Sequence, residues 1–450
     1  MPRLPHCAIL AVWCGNNEIE WGTWSWGYDT IHAHPDYALY HMEIPRILGA
    51  EDPSRPYWPS SPYSPDNRHP NDPLVGDQHP WHVSLFGDLE NFWAYRDDVS
   101  RFPNEGGALG ASSIATLEQF LPETERYYLS PSWDYHDNEL ACGPNPSGAD
   151  APGRKSINEE WFRAWLGIQP VEMSLPDYAY YSGALQAEAL VEYINNYRRR
   201  MFSSASAVFW MYNDSWPVTH GWTIVDYYFR RKLAFHPVRR AFETVQIIPA
   251  IDGDLVSIYG VNDLSIPWKG TVRYGLFAFD GAKAREDEIC AELAPNASTL
   301  VAQFPMEDWR REGVARAGAF ATLWEQGICI RQNRLLLARY KDVQWTPPEI
   351  RVTRRGDRAV FSSPAFVWGV CLDPSGEQGL ADDVFDLLPG IEWTVPWDVA
   401  RELPRVAYTG NAGPRASARA RRLDGWAAEL CFGRSPAPSL TDGSETSGLS

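Results

Sequence analysis

Over the first 245 residues the apolar positions alternate between two kinds of stretch. Short apolar runs bounded by turn residues, at Ala8–Cys14, Arg55–Pro59, Trp81–Phe86, Ser100–Glu105 and Ala207–Asn213, read as strands. Longer stretches with helical spacing lie between them. The clearest is Leu185–Arg200, which closes on Arg198, Arg199 and Arg200, where cations favour a helix C-terminus. Asp36–Gly49 is amphipathic in the same sense, and residues 135–158 are polar, rich in Gly and Pro, and read as a long loop. Alternating strands and helices are the grammar of an α/β fold.

After about residue 245 the pattern changes. Leu255–Val261, Gly270–Ala278, Ala319–Leu323, Gly327–Ile330, Glu349–Val352, Ala359–Ser362 and Phe366–Leu372 are short, apolar or alternating, and separated by turn residues. Their spacing predicts two immunoglobulin-like β-sandwiches, roughly 246–345 and 346–412. Residues 413–450, rich in Ser, Gly, Ala and Arg, read as a disordered tail.

Composition narrows the function. The chain has 450 residues, 44% of them apolar, with 40 Lys and Arg against 58 Asp and Glu, a formal charge of -18. Nucleic acids and anionic membranes need a basic footprint, so neither is expected as a partner. No apolar run is long enough for a membrane span. The opening MPRLPHCAIL is too short in apolar residues for a secretory leader, which leaves the cytoplasm as the default compartment. The seven cysteines are scattered and never form CxxC, against a disulfide framework or zinc site. The sequon Asn296-Ala297-Ser298 carries little weight without a leader. The 21 Trp, 21 Tyr and 18 Phe are first of all core material, but Trp faces also stack on sugar rings.

Glu18 ends one predicted strand and Glu105 another. In a parallel α/β barrel the C-terminal strand ends converge on one face, and two carboxylates there permit acid/base and nucleophilic work on a glycosidic bond. Glutamates that merely end strands are the plainer alternative. Trp210-Met211-Tyr212-Asn213-Asp214-Ser215-Trp216-Pro217 is a core strand entering a Pro turn or part of a site. Asp77, His79, Trp81 and His82 form a polar strand end or a loop with satisfied histidines. His32-Ala33-His34 lacks a third metal ligand at a recognisable spacing and reads as a helix-entry loop, and Asp134 and His136 carry no stronger claim. No Gly-rich phosphate loop and no GxSxG occurs, so nucleotide chemistry and a serine-hydrolase elbow are not expected.

Taken together, six segments in order resemble the β-mannosidase branch of glycoside hydrolase family 2. They are LAVWCGNNE (10–18), DPSRPYWPSSP (52–62), NDPLVGDQHPWHV (71–83), SRFPNEGG (100–107), GALQAEALVEYINNYRRR (183–200) and FWMYNDSWPVTHGWTIVDYY (209–228), with VNDL (261–264) and DDVFDLLPG (382–390) downstream. The resemblance implies a partial (β/α)8 TIM barrel over 1–245, strands four to eight, followed by the sandwiches. It implies that Glu18 is the acid/base and Glu105 the nucleophile of a retaining exo-β-glycosidase acting on terminal β-mannose, with no metal or organic cofactor. It further implies substrate contacts from Asn17, His79, Trp81, Trp210, Asn213 and Trp216, with Trp24 or Trp26 as an additional wall. The chain departs from the family at Gly106, where an aromatic residue is commoner, and at Pro80, where His-Tyr-Trp is usual. An aromatic partner for the nucleophile is therefore missing or comes from elsewhere, and related branches act on β-glucosaminides or β-galactosides with the same pair.

Family members carry further domains and the first three barrel strands before the acid/base motif. By that comparison the chain is expected to be truncated, or completed by a missing N-terminal half or by self-association, and to show little or no turnover by itself. The alternative from another class is a non-catalytic carbohydrate-binding fragment.

Overall fold

A computed structural model describes residues 10–25, 37–84, 91–138, 157–282 and 284–413. Most of the tail, Trp26, and the His32 and His34 motif lie outside the described residues.

The α/β part is assembled from extended segments running side by side. Strand β1 (Trp13–Asn17) pairs in parallel with β2 (Tyr57–Ser61), in a register that sets Trp13 opposite Tyr57 and Asn17 opposite Ser61. Between them helix α1 (Ile19–Ser25) starts directly after Glu18. Gln78 bridges Pro103 in parallel. The 101–106 segment in turn receives backbone hydrogen bonds from Ala205, Val208 and Trp210, at 2.8, 3.2 and 2.7 Å. The 100–105 and 207–213 runs are thus extended and paired, but not as regular strands. Pro103 has no N–H to give, and the pairing breaks up around it. The predicted strand at Trp81–Phe86 is a correction. Trp81 N–H donates to His79 O at 2.8 Å across Pro80, and 81–84 are turn. Proline fixes its own φ and closes the strand there.

The long helix α2 spans Leu175–Arg199, ten residues further toward its N-terminus than expected. Ser174 caps it by accepting from Asp177 N, Pro176 sits in the first turn and Asp177 adds an anion, all stabilising at a helix start. The helix is buried on nearly every face because it is wedged between the α/β part and both sandwiches. Trp133, Trp165, Tyr178, Tyr180, Tyr193 and Tyr197 are fully buried in the surrounding cluster, so the aromatic richness is mostly core.

The first sandwich has a three-stranded sheet, β3 (Val245–Asp252), β4 (Leu255–Asn262) and β7 (Ala297–Pro305). It faces a four-stranded sheet of β5 (Trp268–Ala278), β6 (Glu286–Leu293), β8 (Ala317–Glu325) and β9 (Ile328–Leu335) in the order β9-β8-β5-β6. Ile247, Val256, Ile258, Val272, Leu293 and Trp309 fill the space between them. A smaller second unit is built from β10 (Arg351–Arg355), β11 (Arg358–Ser362) and β14 (Trp393–Pro396), with the pair β12 (Val367–Val370) and β13 (Phe385–Leu387), around Phe361, Val370 and Leu387. The architecture is therefore α/β followed by all-β. No helix among the described residues is long and apolar enough to cross a membrane.

Candidate active site

Glu18 closes β1 with its backbone in the left-handed region, at φ 62°, a conformation that costs a non-glycine residue energy and persists only where its surroundings enforce it. Its N–H is held by Ser61 O at 2.7 Å, and its own carbonyl accepts Gly22 N–H as α1 begins. The strained corner turns the side chain off the end of the parallel pair.

Glu105 is clamped on both sides. On one side Asn104 Nδ2 donates to Asp77 Oδ2 (2.8 Å) and to Ser61 Oγ (2.9 Å). On the other, Gly106 O accepts Trp210 N–H, and Gly107 O accepts the buried Tyr95 hydroxyl at 2.8 Å. Gly106 and Gly107 have φ of 143° and 155°. A Cβ at Gly107 would stand 2.6 Å from Trp210 O, and one at Gly106 would stand 3.0 Å from the Tyr193 ring. Glycine is required at both positions, which accounts for the missing aromatic side chain after Glu105.

His79 lies between the two carboxylates. Its Nδ1 is 2.7 Å from Glu18 Oε1, in hydrogen-bond alignment, and 2.6 Å from Glu105 Oε2. Ligand atoms of all three residues fall within 4.8 Å of one another. His79 is 1% exposed and Glu105 7%, while the Glu18 side chain is 18% exposed. Burial, with the charge of Glu105 adding to it, pushes the Glu18 carboxyl above its ordinary range against the pull of His79. Burial alone would lower His79, but the hydrogen bonds and charges of Glu105 and Glu18 outweigh it and push it up to about 9. The arrangement does not fit a metal ion. Ligands around one cation, each about 2.0–2.2 Å from it, stand roughly 3 Å or more apart, whereas these N and O atoms are already at hydrogen-bonding distance from each other.

The other expected residues are placed unevenly. Trp81 is buried, its ring against the Gly107 backbone and edge-on to Trp222, and Trp210 is adjacent through its backbone with a 43% exposed side chain. His79, expected to touch substrate, is instead enclosed by the carboxylates it binds and has no face left for a sugar. Asn17 is exposed at the end of β1. The neighbouring Asn16 holds the local structure, accepting from Ile19 N and Ser60 Oγ and donating to Pro59 O. Trp24 is 53% exposed, edge-on to His69. Asn213 is exposed and donates to Asp214 O, and Trp216 stacks on His136 with centroids 4.8 Å apart. Trp21, Ser61 and Asn104 belong to the site without having been singled out. Trp21 follows Glu18 by one helical turn and sets its ring edge-on to His79, at 6.1 Å. That spacing was the available signal. A cavity of about 940 Å³ lies elsewhere, where α2 meets both sandwiches. It is lined by mutually paired ions such as Glu188, Arg334 and Asp386 and includes neither glutamate.

Residues 254–342, most of the first sandwich, match the Mannosidase Ig/CBM-like domain. The chain is 25% identical over 453 residues to beta-mannosidase B of Aspergillus niger, covering 90% of this chain and 50% of that one. It is 29% identical over 266 residues to beta-mannosidase B of Thermothelomyces thermophilus, covering 54% and 29%. Among solved structures it resembles the beta-D-mannosidase of Dictyoglomus thermophilum, with TM-score 0.74, 23% identity, and 88% and 46% of the two chains covered. The exo-chitosanase of Amycolatopsis orientalis in complex with PNP-beta-D-glucosamine shares the fold more distantly, with TM-score 0.51 and 15% identity. The chain is thus similar to beta-mannosidases in sequence and in fold over most of its length. It spans about half the length of the curated relative it matches over most of its own.

Proposed function

We propose that Glu18 and Glu105 form the acid/base and nucleophile pair of an exo-acting retaining β-glycosidase whose substrates are terminal β-mannosides. The observation that carries this reading is the approach of the two carboxylates to within 4.8 Å around one imidazole. Retaining glycosidases need carboxyl groups about 5–5.5 Å apart, whereas inverting ones leave 6.5–9.5 Å for a water. The α/β part is read as strands four to eight of a (β/α)8 barrel, with 1–245 the catalytic unit, 246–345 and 346–412 the sandwiches, and 413–450 a tail.

In the first step Glu105 attacks the anomeric carbon, the bond to the leaving oxygen breaks, and Glu18 gives that oxygen its proton. In the second, Glu18 takes a proton from water, water attacks the same carbon, and the ester to Glu105 breaks. Glu18 suits the first role because burial keeps its proton on above the ordinary carboxylate range. Trp210 is tied to Gly106 through its backbone N–H, and its half-exposed indole offers a sugar an apolar face.

The test is a panel of aryl β-mannoside, β-glucosaminide, β-galactoside and β-glucoside, run on the chain and its variants. Glu18→Gln is expected to lose roughly 10²–10⁴-fold on poor leaving groups, less on good ones, with rescue by azide. Glu105→Gln is expected to lose turnover on every leaving group. Unaltered rates in either variant would overturn the pair, and preference for another sugar would overturn the mannoside assignment. A second reading, that the chain works with a complementary half or a second copy, is favoured by the exposed row Val208, Trp210 and Tyr212 with Phe102 beside it. It predicts that activity rises with protein concentration or on adding the complementary polypeptide.

A further inference from the structure

The hydrogen-bond inventory around His79 fixes where its protons are. Asp77 receives four donors. Trp58 Nε1 (2.7 Å) and Tyr63 N (3.0 Å) reach Oδ1, and Ser61 Oγ (2.6 Å) and Asn104 Nδ2 (2.8 Å) reach Oδ2. Two donors on each oxygen describe an ionised carboxylate with its lone pairs filled. The single Ser61 proton is therefore committed to Asp77. Ser61 Oγ lies 3.0 Å from His79 Nε2, so that nitrogen must be the donor. On the other side of the ring, Nδ1 is aligned with Glu18 Oε1 at 2.7 Å and stands 2.6 Å from Glu105 Oε2, so an N–H there meets oxygens of both carboxyl groups. Both ring nitrogens carry protons. The backbone is locked in place, with Asn71 donating to His79 O and accepting from His79 N, each at 2.9 Å.

We propose that His79 is held as an imidazolium that positions Glu18 and Glu105, a fixed cation shared by both carboxylates and oriented through Ser61 by Asp77. This rests on the glycosidase reading above and assigns His79 no contact with sugar. The ring's charge stands 2.6 Å from Glu105 Oε2, which has no hydrogen-bond partner of its own among the described residues. Because the ring occupies Glu18 Oε1, the other oxygen of Glu18 is left for the leaving group. The groups facing the ring are Glu18 from the end of β1, Ser61 and behind it Asp77, Glu105 from the 101–106 segment, and the edge of Trp21 from α1.

The test has two arms. In the first, the protein is labelled with 15N-histidine and its ring nitrogens are followed by long-range 1H–15N correlation, His79 being the signal missing from His79→Gln. Both nitrogens are expected to be protonated at pH 7.5, and Glu18→Gln and Glu105→Gln are each expected to lower the pH at which a proton is lost. A neutral, single-tautomer ring at pH 7.5 overturns the proposal, and this holds even if the glutamate variants fail to fold or the chain turns over no glycoside. The second arm compares pH profiles of kcat/KM. His79→Gln keeps a donor but no charge, so the basic limb set by Glu18 is expected to move up by about one pH unit or more, since an opposite charge at this range shifts a carboxyl by 1–3 units. A uniform loss at all pH values in both His79→Gln and His79→Phe, with the limb unmoved, would show a packing role only and overturn it.

Discussion

Glu18, His79 and Glu105 are distant in sequence yet meet around one ring nitrogen, and the titration of Glu18 and His79 couples to stability in a predictable sense. His79 holds its proton up to about pH 9 in the fold, against about 6.5 unfolded. Its contribution is therefore complete below about pH 6.5 and is lost as pH rises toward 9. Glu18, raised chiefly by burial, acts in the same direction, because the fold binds its proton where the unfolded chain has released it. Urea midpoints measured at pH 6, 7.5 and 9 are expected to fall with pH in the parent and to fall less in His79→Gln, and parallel slopes would contradict this. The two glutamates were legible because an acid at a strand end, inside an ordered set of motifs, is a local signal. The role of His79 was not, because it depends on Asp77 and Ser61 filling each other's valences, which no spacing reveals.

At the scale of elements, helix α2 was legible from its apolar spacing, but its first ten residues were not. Tyr178, Tyr180 and Tyr181 bury that end all round and erase the amphipathic contrast. Its start rests on Ser174, and Ser174→Ala is expected to cost about 1 kcal/mol in urea unfolding, the ordinary worth of such a cap. An unchanged midpoint would show that tertiary packing alone sets the helix end. Strands with one wet face were harder to read. Strand β6, Glu286–Leu293, is mostly exposed and carries Glu286, Asp287, Glu288 and Glu292, so it offers neither an apolar run nor clean alternation. As the edge of its sheet, it uses charge to discourage further pairing. The 101–106 and 205–213 segments were found as extended chain, but their irregular pairing follows from Pro103 and the paired glycines, which act through neighbours rather than through pattern.

At the scale of the whole molecule, α2 is the beam on which the sandwiches are mounted. Arg198 pairs with Asp263 at 2.6 Å and Arg199 with Asp252 at 3.1 Å, tying its C-terminal end to the first sandwich. Arg334 on β9 pairs with Glu188 of α2 and, at 2.7 Å, with Asp386 of the second unit, while Trp368 Nε1 donates to Glu188 at 2.9 Å. Removing the one cation would leave two carboxylates close together and buried. Arg334→Leu is expected to cost about 3–5 kcal/mol in unfolding free energy, the usual penalty for breaking a buried pair from one side. A loss below 1 kcal/mol would mean that the junction is wetter than its burial implies. The α/β-to-all-β division was legible from the change of period near residue 245, but this junction was not, because its partners come from three separate stretches of chain.

The central claim is that Glu105 is a nucleophile facing an anomeric carbon. Its most direct measurement is mass spectrometry of the folded chain after incubation with a 2-deoxy-2-fluoro-β-mannosyl fluoride. Fluoride leaves with little help from an acid, so trapping reports on the nucleophile without requiring full turnover. The account predicts one added fluorosugar per chain, carried by the peptide that contains Glu105 and absent in Glu105→Gln. Folded protein that stays unlabelled, or that carries the sugar on another residue, would contradict it.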